Sequence, residues 1–480
     1  MLLAASGPKI LSISLHDGSL LSTWPETAST STEGDQENEE PEGPPGKRRK
    51  LDASPEKSPN VTKLLVSHSN EHVVAVTGED KCVRVFAVSS NGNLEQLSQR
   101  CMPKRPCAIA LTADDSTILC GDKFGDVYGL PLLSSPEADA AAARQQEEAA
   151  SKSFVPSATN LTVHSGRNRK ALENQLKSAN QQAKTKEPLK FAHELLLGHV
   201  SMLTDVAFVA FDEATSLDRK PRSYILTSDR DEHIRISRAP PQAHIIEGYC
   251  LGHKEFVSKL CLPRPGILVS GGGDDEVFVW YWQGQDPRLT DKINLRKAVF
   301  KALLKQPAQG ATKVAEEDVT IAVSGMWTFE SAARNEVRQT DVLVACEGVP
   351  ALFYFSTLNT GALQRGADLK VLPLSGNPVD VAVLEDSIVV SIDNCHESGS
   401  ISVARQDQTA TSRLQAFVYA PNSEHDLGFS WRSNEKLDGH LQKANSQPTA
   451  ESAPDPKALV DLLYGIESLR KRGGEEVEGS

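Results

Sequence analysis

The chain has 480 residues, with 51 basic and 64 acidic side chains and a formal net charge of −13. That length can bury a large core, and the modest apolar share (39%) points to a packed body diluted by polar segments. The acidic balance argues against autonomous nucleic-acid binding, which rests on phosphate neutralisation by Lys and Arg, but leaves binding through a basic partner open.

Residues 1–25 offer two short apolar strands around Ile10–Ser14. Met1-Leu-Leu-Ala-Ala has no charged n-region and breaks off at Gly7-Pro8, so it does not read as a signal peptide. The apolar runs fall short of the roughly 18 residues a membrane span needs, and no membrane partner is expected. Eight cysteines are spread along the chain without C-x-x-C or metal-type spacing, which predicts buried free thiols of a reducing compartment.

Residues 26–60 are rich in Ser, Thr, Pro, Gly and acidic side chains, without apolar periodicity, and predict a disordered insert. Inside it Lys47, Arg48, Arg49 and Lys50 form a basic cluster in an accessible, Pro-flanked context, the pattern of a nuclear import signal or a nucleic-acid patch. A second insertion, 134–190, is rich in Ala, Gln, Glu and Lys. Its first part has helix propensity without an apolar face, and its second part is basic, from Arg167 to Lys190. It reads either as an exposed helical insertion or as a basic arm touching RNA. Residues 441–480 form a polar linker and one helix, with Asp455 as cap, Leu459, Leu462, Leu463, Ile466 and Leu469 on one side and Gly473 at its end.

The remainder, 1–25, 61–133 and 191–440, carries a recurring pattern: a small-residue turn with Asp, then alternating apolar residues. It reads Gly78-Glu79-Asp80-Lys81-Cys82-Val83-Arg84-Val85-Phe86, and again Gly272-Gly273-Asp274-Asp275-Glu276-Val277-Phe278-Val279-Trp280. A third clear copy is Ser228-Asp229-Arg230-Asp231-Glu232-His233-Ile234-Arg235-Ile236-Ser237. Weaker copies end at Ile10–Ser14, Val127–Leu130, Leu352–Phe355 and Ile401–Ala404. Val83 and Val127 lie 44 residues apart and Ile234 and Val277 lie 43 apart, the period of a four-stranded WD-type blade. Gly198-His199 and Gly252-His253 add the Gly-His signature, and Trp280-Tyr281 stands where the Trp-Asp dipeptide would be. Blades cannot bury both sides alone, so the pattern predicts an all-β, seven-bladed WD-type β-propeller with disordered or helical insertions and a C-terminal helical tail. The first blade is short. Strands near Leu414–Tyr419 and Leu427–Trp431 are expected to complete it, and its shortness raises the expectation of residues upstream of Met1.

The residue pattern holds no Walker A, H-E-x-x-H, G-x-S-x-G or dinucleotide fingerprint, so neither catalysis nor a cofactor is expected. The segment densest in charge is Asp229, Arg230, Asp231, Glu232, His233, Arg235 and Arg238, followed by Lys254, Glu255 and Phe256. Asp231 has the place of the turn-stabilising Asp of WD repeats, which leaves the other charges unexplained. With Ile234 and Ile236 turned inward, Arg235 and Ser237 are expected on the opposite face of an outer strand, where an Arg forks to carboxylates. These ten residues are the predicted partner-binding set.

D-R-D-E-H-I-R-I-S-R, then C-L-G-H-K-E-F-V-S-K-L, then S-G-G-G-D-D over roughly 190–285 resembles the WD-repeat, non-catalytic subunit of the eukaryotic, fungal-type tRNA (guanine-N7)-methyltransferase. The resemblance implies a propeller paired as a heterodimer with a separate catalytic subunit. That subunit binds S-adenosylmethionine and methylates N7 of guanosine 46 in the tRNA variable loop, and the propeller stabilises and activates it. tRNA is then met through the complex, in the nucleus. In the family, the basic residue matching Arg235 pairs with an acidic residue of the partner. The short start and the long 134–190 insertion depart from the family pattern. The rival readings are a generic WD scaffold such as a ubiquitin-ligase substrate receptor, whose W-D-x-R tetrapeptide does not occur here, and a propeller hydrolase or lyase with a polar cluster at its channel.

Overall fold

The computed structural model describes residues 1–25, 58–151, 163, 165–185, 189–212, 220–284, 286–305, 315–331, 339–357, 369–405, 412–421, 429–445 and 456–471. The cluster at Lys47–Lys50 lies outside them. Among the described residues no helix is long and apolar enough to cross a membrane.

The strands form seven antiparallel sheets, one of three strands and six of four. First strands of neighbouring blades lie side by side around the axis. Blade 4 comprises Leu203–Phe211, Arg222–Asp229, Ile234–Arg238 and Ile246–Cys250. Blade 5 comprises Val257–Arg264, Ile267–Gly272, Glu276–Tyr281 and Arg288–Asn294. Each sheet is clamped between two others, so both faces of its middle strands are largely dry, and all six residues of Ile267–Gly272 are buried. This corrects the expectation of an open face at Arg235. Ile234, Arg235, Ile236 and Ser237 are all buried, on the third of four strands and not on the outer one.

Blade 5 is pinned by a polar relay. The Trp280 indole N–H donates to Ser270 Oγ (2.8 Å), Ser270 Oγ meets His253 Nε2 (2.7 Å), and His253 Nδ1 meets Asp274 (2.8 Å). Asp274 also accepts the backbone N–H of Lys254, so the loop entering the blade is tied to the turn between its second and third strands. The chain is buried there without orphaned polar atoms in the relay, the condition for it to stabilise. Blade 4 repeats it in part: His199 Nε2 meets Thr227 Oγ1 at 2.7 Å and His199 Nδ1 faces Asp229 at 3.6 Å, with Ser237 at the place of Trp280.

Ring closure differs from expectation. Leu414–Pro421 and Phe429–Ser433 pair with Pro378–Val383 and Ser387–Ile392 to make blade 7; they do not join the N-terminal strands. Leu427 lies outside the described residues. Ile401–Ala404 is not a strand either, carrying one isolated bridge from His396 to Ala404. Among the described residues blade 1 has three strands, Leu2–Ser6, Lys9–Ile13 and Leu20–Trp24. Its first turn feeds Gly7 O to the N–H of Val61 in blade 2, as the second-to-third-strand turn of blade 3 feeds Gly125 O to His199 ahead of blade 4. By that equivalence the three strands are the second to fourth of a blade. The seam is sealed by side chains: Leu2 and Ile13 pack with Val389, Ala416, Leu437 and Leu441, the last two from helix Glu435–Asn445.

The 134–190 insertion contains helices Pro136–Ser151 and Gly166–Thr185, and it is not wholly exposed, since Leu172 is buried and Asp139 accepts the N–H of Ala192. The C-terminal helix is shorter than expected. It runs from Pro456 to Leu463, and Leu469 falls in a separate turn, Glu467–Leu469. The helix stops where the Glu347 carboxylate takes the N–H groups of Gly465, Ile466 and Glu467 (2.7–2.9 Å).

The cysteines are not uniformly free thiols. Cys82 and Cys101 stand directly opposite in neighbouring strands of blade 2 and are joined by a disulfide. Cys395 is exposed. Cys120, Cys250, Cys261 and Cys346 are buried, and burial pushes their thiols up to about 12, which leaves them inert.

Candidate functional site

One rim of the propeller carries the second-to-third-strand turns and the loops that enter each blade. In blade 4 this turn is 229–233. Its stabilising carboxylate is Asp229, not Asp231. Asp229 Oδ1 accepts the N–H groups of Asp231 (2.9 Å) and His233 (3.0 Å), and Glu232 takes a left-handed φ of +72° between them. Burial works against the Asp229 charge, but the hydrogen bonds from His199 and from the His233 backbone win and hold its carboxyl below the usual range. Asp231, Glu232 and His233 consequently project toward solvent, their side chains 45%, 35% and 50% exposed.

The predicted set does not form one surface. Arg230, Asp231, Glu232 and Glu255 come together on the turn rim, with exposed Lys254 in the adjoining loop. Phe256 does not: it is 1% exposed, tucked beneath Gly273, where a Cβ would stand 2.6 Å from its ring. It is a core residue, and the expectation of a surface contact is corrected. Arg238 lies at the other end of its strand, held by Glu247 and by Gln242.

Arg235 sits between the two rims, opposite Thr227 on one side and Tyr249 on the other. It is 8% exposed. Its Nε–H donates to Ser237 Oγ and its Nη1–H to the Gly198 carbonyl of blade 3, both at 2.9 Å. The same place in blade 5 holds Phe278, and in blade 2 Arg84. Arg84 is paired with the Asp80 carboxylate. Arg235 has hydrogen bonds but, among the described residues, no carboxylate within ion-pair reach, and burial pushes its guanidinium down from the ordinary value while the Tyr249 phenol opposes. A desolvated cation of this kind invites an external carboxylate. Around the blade 3–blade 4 junction the surface is also apolar: Phe124 and Leu251 are each 63% exposed and Val200 is fully exposed.

A group of residues missed in the sequence covers this rim: Tyr464, Glu347, Arg470 and Lys471. Arg470 donates to the Gly273 and Ile321 carbonyls and pairs with Glu255 at 3.2 Å; Lys471 reaches Asp231 (3.2 Å) and Glu232 (3.1 Å). The Arg470-Lys471 pair after an apolar helix was the available signal, but only the ring topology says which acids it meets.

Seven sheets around one axis and a Trp–Ser–His–Asp relay define a WD-repeat propeller, here with a charged turn rim. Residues 2–417 match the tRNA methyltransferase TRM82 WD40 domain, and the chain belongs to that family. It is 45% identical to the tRNA (guanine-N(7)-)-methyltransferase non-catalytic subunit TRM82 of Phaeosphaeria nodorum, over 99% of this chain and 95% of that one. It is 42% identical to the non-catalytic subunit of Aspergillus oryzae, over 99% and 95%, and 26% identical to that of Saccharomyces cerevisiae, over 86% and 76%.

Proposed function

We propose that this chain is the non-catalytic subunit of a tRNA (guanine-N7)-methyltransferase complex. It has no active site of its own. It docks a separate catalytic subunit as a heterodimer and holds that subunit in its active shape, so that S-adenosylmethionine methylates N7 of guanosine 46 in the variable loop. The observation that carries the reading is near full-length similarity to relatives named as such subunits. Support comes from Arg235, a buried guanidinium without a carboxylate of its own among the described residues, beside exposed Phe124, Val200 and Leu251. A carboxylate from the partner would complete Arg235 as Asp80 completes Arg84.

The test is to tag this chain and purify it from its source cells. A methyltransferase should come with it. The isolated chain should neither bind S-adenosylmethionine nor methylate tRNA, and the pair should do both. Robust methyl transfer by the chain alone would overturn the assignment.

The complex is proposed to work in the nucleus, with import directed by Lys47, Arg48, Arg49 and Lys50. Replacing all four by Ala should shift a fluorescent fusion to the cytoplasm while its melting temperature stays constant. Nuclear accumulation that persists in cells lacking the catalytic subunit would remove the signal from this cluster.

A further inference from the structure

Helix Pro456–Leu463 delivers the chain onto the turn rim, and the following eight residues cross four blades in order. Tyr464 is anchored at blade 7: its hydroxyl donates to Asp393, accepts from Asn377 Nδ2 (3.2 Å), and its ring meets His396 edge-on at 5.5 Å. Gly465, Ile466 and Glu467 are held by Glu347 of blade 6. Arg470 lies over blade 5, on the Gly273 carbonyl, Glu255 and the Phe256 ring. Leu469 O accepts Arg230 Nε–H, and Lys471 lies over blade 4, bridging Asp231 and Glu232.

The two ends of this segment are held unequally. Tyr464 is 7% exposed, and three backbone N–H groups share one carboxylate beside it, which makes a firm anchor. At the other end the Lys471 side chain is 47% exposed and its two carboxylate partners 45% and 35%, and the Arg470–Glu255 pair is 25% and 36% exposed, so that the Gly273 and Ile321 carbonyls are the firmer holds on Arg470. Ion pairs so open to water contribute little and are easily exchanged. The residues that Leu469, Arg470 and Lys471 cover, Arg230, Glu255, Asp231 and Glu232, belong to the set that the sequence singles out for partner binding.

We propose that Tyr464–Lys471 is an intramolecular strap that occupies the docking surface of the free subunit and is peeled back from its Arg470–Lys471 end when the catalytic subunit binds. The inference rests on the docking reading given under the proposed function. Because the strap neutralises Asp231, Glu232 and Glu255, the element that displaces it must bring basic side chains to the turn rim, alongside the carboxylate that answers Arg235. The strap thereby sets a threshold. A chain whose docking surface is open only a fraction of the time binds with its affinity divided by that fraction.

The experiment compares three full-length or near full-length chains against the purified catalytic subunit by calorimetry: the natural chain, the double variant R470E/K471E, and a chain ending at Glu467. The double variant sets like charges against Asp231, Glu232 and Glu255, while the shortened chain keeps Tyr464 and the Glu347 contacts. Both should bind roughly tenfold tighter if the strap is closed nine-tenths of the time. Equal affinity for all three chains overturns the strap. Weaker binding by both variants overturns it too, because the tail would then be part of the docking surface. If the natural chain and both variants all fail to bind the catalytic subunit, the proposed function falls, and the strap with it.

Discussion

Arg235→Leu is expected to weaken the complex by about 2–5 kcal/mol, roughly thirtyfold or more in Kd, while the isolated propeller stays folded. The size follows from burial. The guanidinium is 8% exposed, so a partner carboxylate facing it would be desolvated, and removing one charge leaves the other uncompensated. The fold should tolerate the change, because blade 5 places Phe278 at the same register and stacks it on His253 at 4.0 Å. The local loss is two hydrogen bonds, to Ser237 and Gly198, on the order of 1 kcal/mol each. Arg235→Phe copies the blade 5 solution and separates the roles. It should melt close to the natural chain and still fail to bind. Arg235→Lys should lose less than Leu, since a charge survives without the fork. Titration calorimetry and thermal melting of the same three proteins decide the matter. Normal binding by Arg235→Leu would place the docking surface elsewhere, and unfolding would make Arg235 structural.

Trp280→Ala is expected to cost about 3–5 kcal/mol of stability, the range for a fully buried aromatic removed from a core. Trp280 is 1% exposed and its indole N–H donates to the Ser270 hydroxyl that also meets His253. The change therefore opens a cavity and loosens the relay to Asp274 together. Against a typical total of about 5–15 kcal/mol this is a large share. Urea unfolding followed by far-ultraviolet circular dichroism would show the midpoint shift. A loss under about 1 kcal/mol would mean that blade 5 is held mainly by its neighbours.

The blade repeat was legible in the sequence because a four-stranded sheet with fixed turns imposes a period, and the turns at 78–81, 229–233 and 272–275 display it. Closure was not. Whether Leu414–Pro421 pairs with Ser387–Ile392 or with the N-terminal strands depends on which free edge is nearest, and alternating apolar residues suit either. The charged turn of blade 4 was legible as unusual, yet its exposure pattern was not. Asp229 faces inward because the backbone folds around its carboxylate with Glu232 in the left-handed region. Phe256 is hidden because Gly273 leaves room for its ring, a relation between the loop that enters blade 5 and the turn after its second strand. The pairing of Cys82 with Cys101 likewise depends on register, which a spacing of 19 does not reveal.

The three-stranded blade has a consequence for how the ring resists opening. No sheet is laced across the junction of blades 1 and 7, so the chain's two ends are not stitched by shared backbone hydrogen bonds among the described residues. The junction works as a buckle, with Leu437 and Leu441 of helix Glu435–Asn445 pressed on Leu2 and Ile13, and His440 Nδ1 within 3.1 Å of the Leu15 carbonyl. Gly18 admits that helix: a Cβ there would lie 1.6 Å from the His440 carbonyl oxygen, so any other residue would pry the buckle apart. Amide exchange should accordingly be fastest, within the strands, at Leu2–Ser6 and Pro378–Val383, and the circle should come undone at that point before any blade loses its own strands.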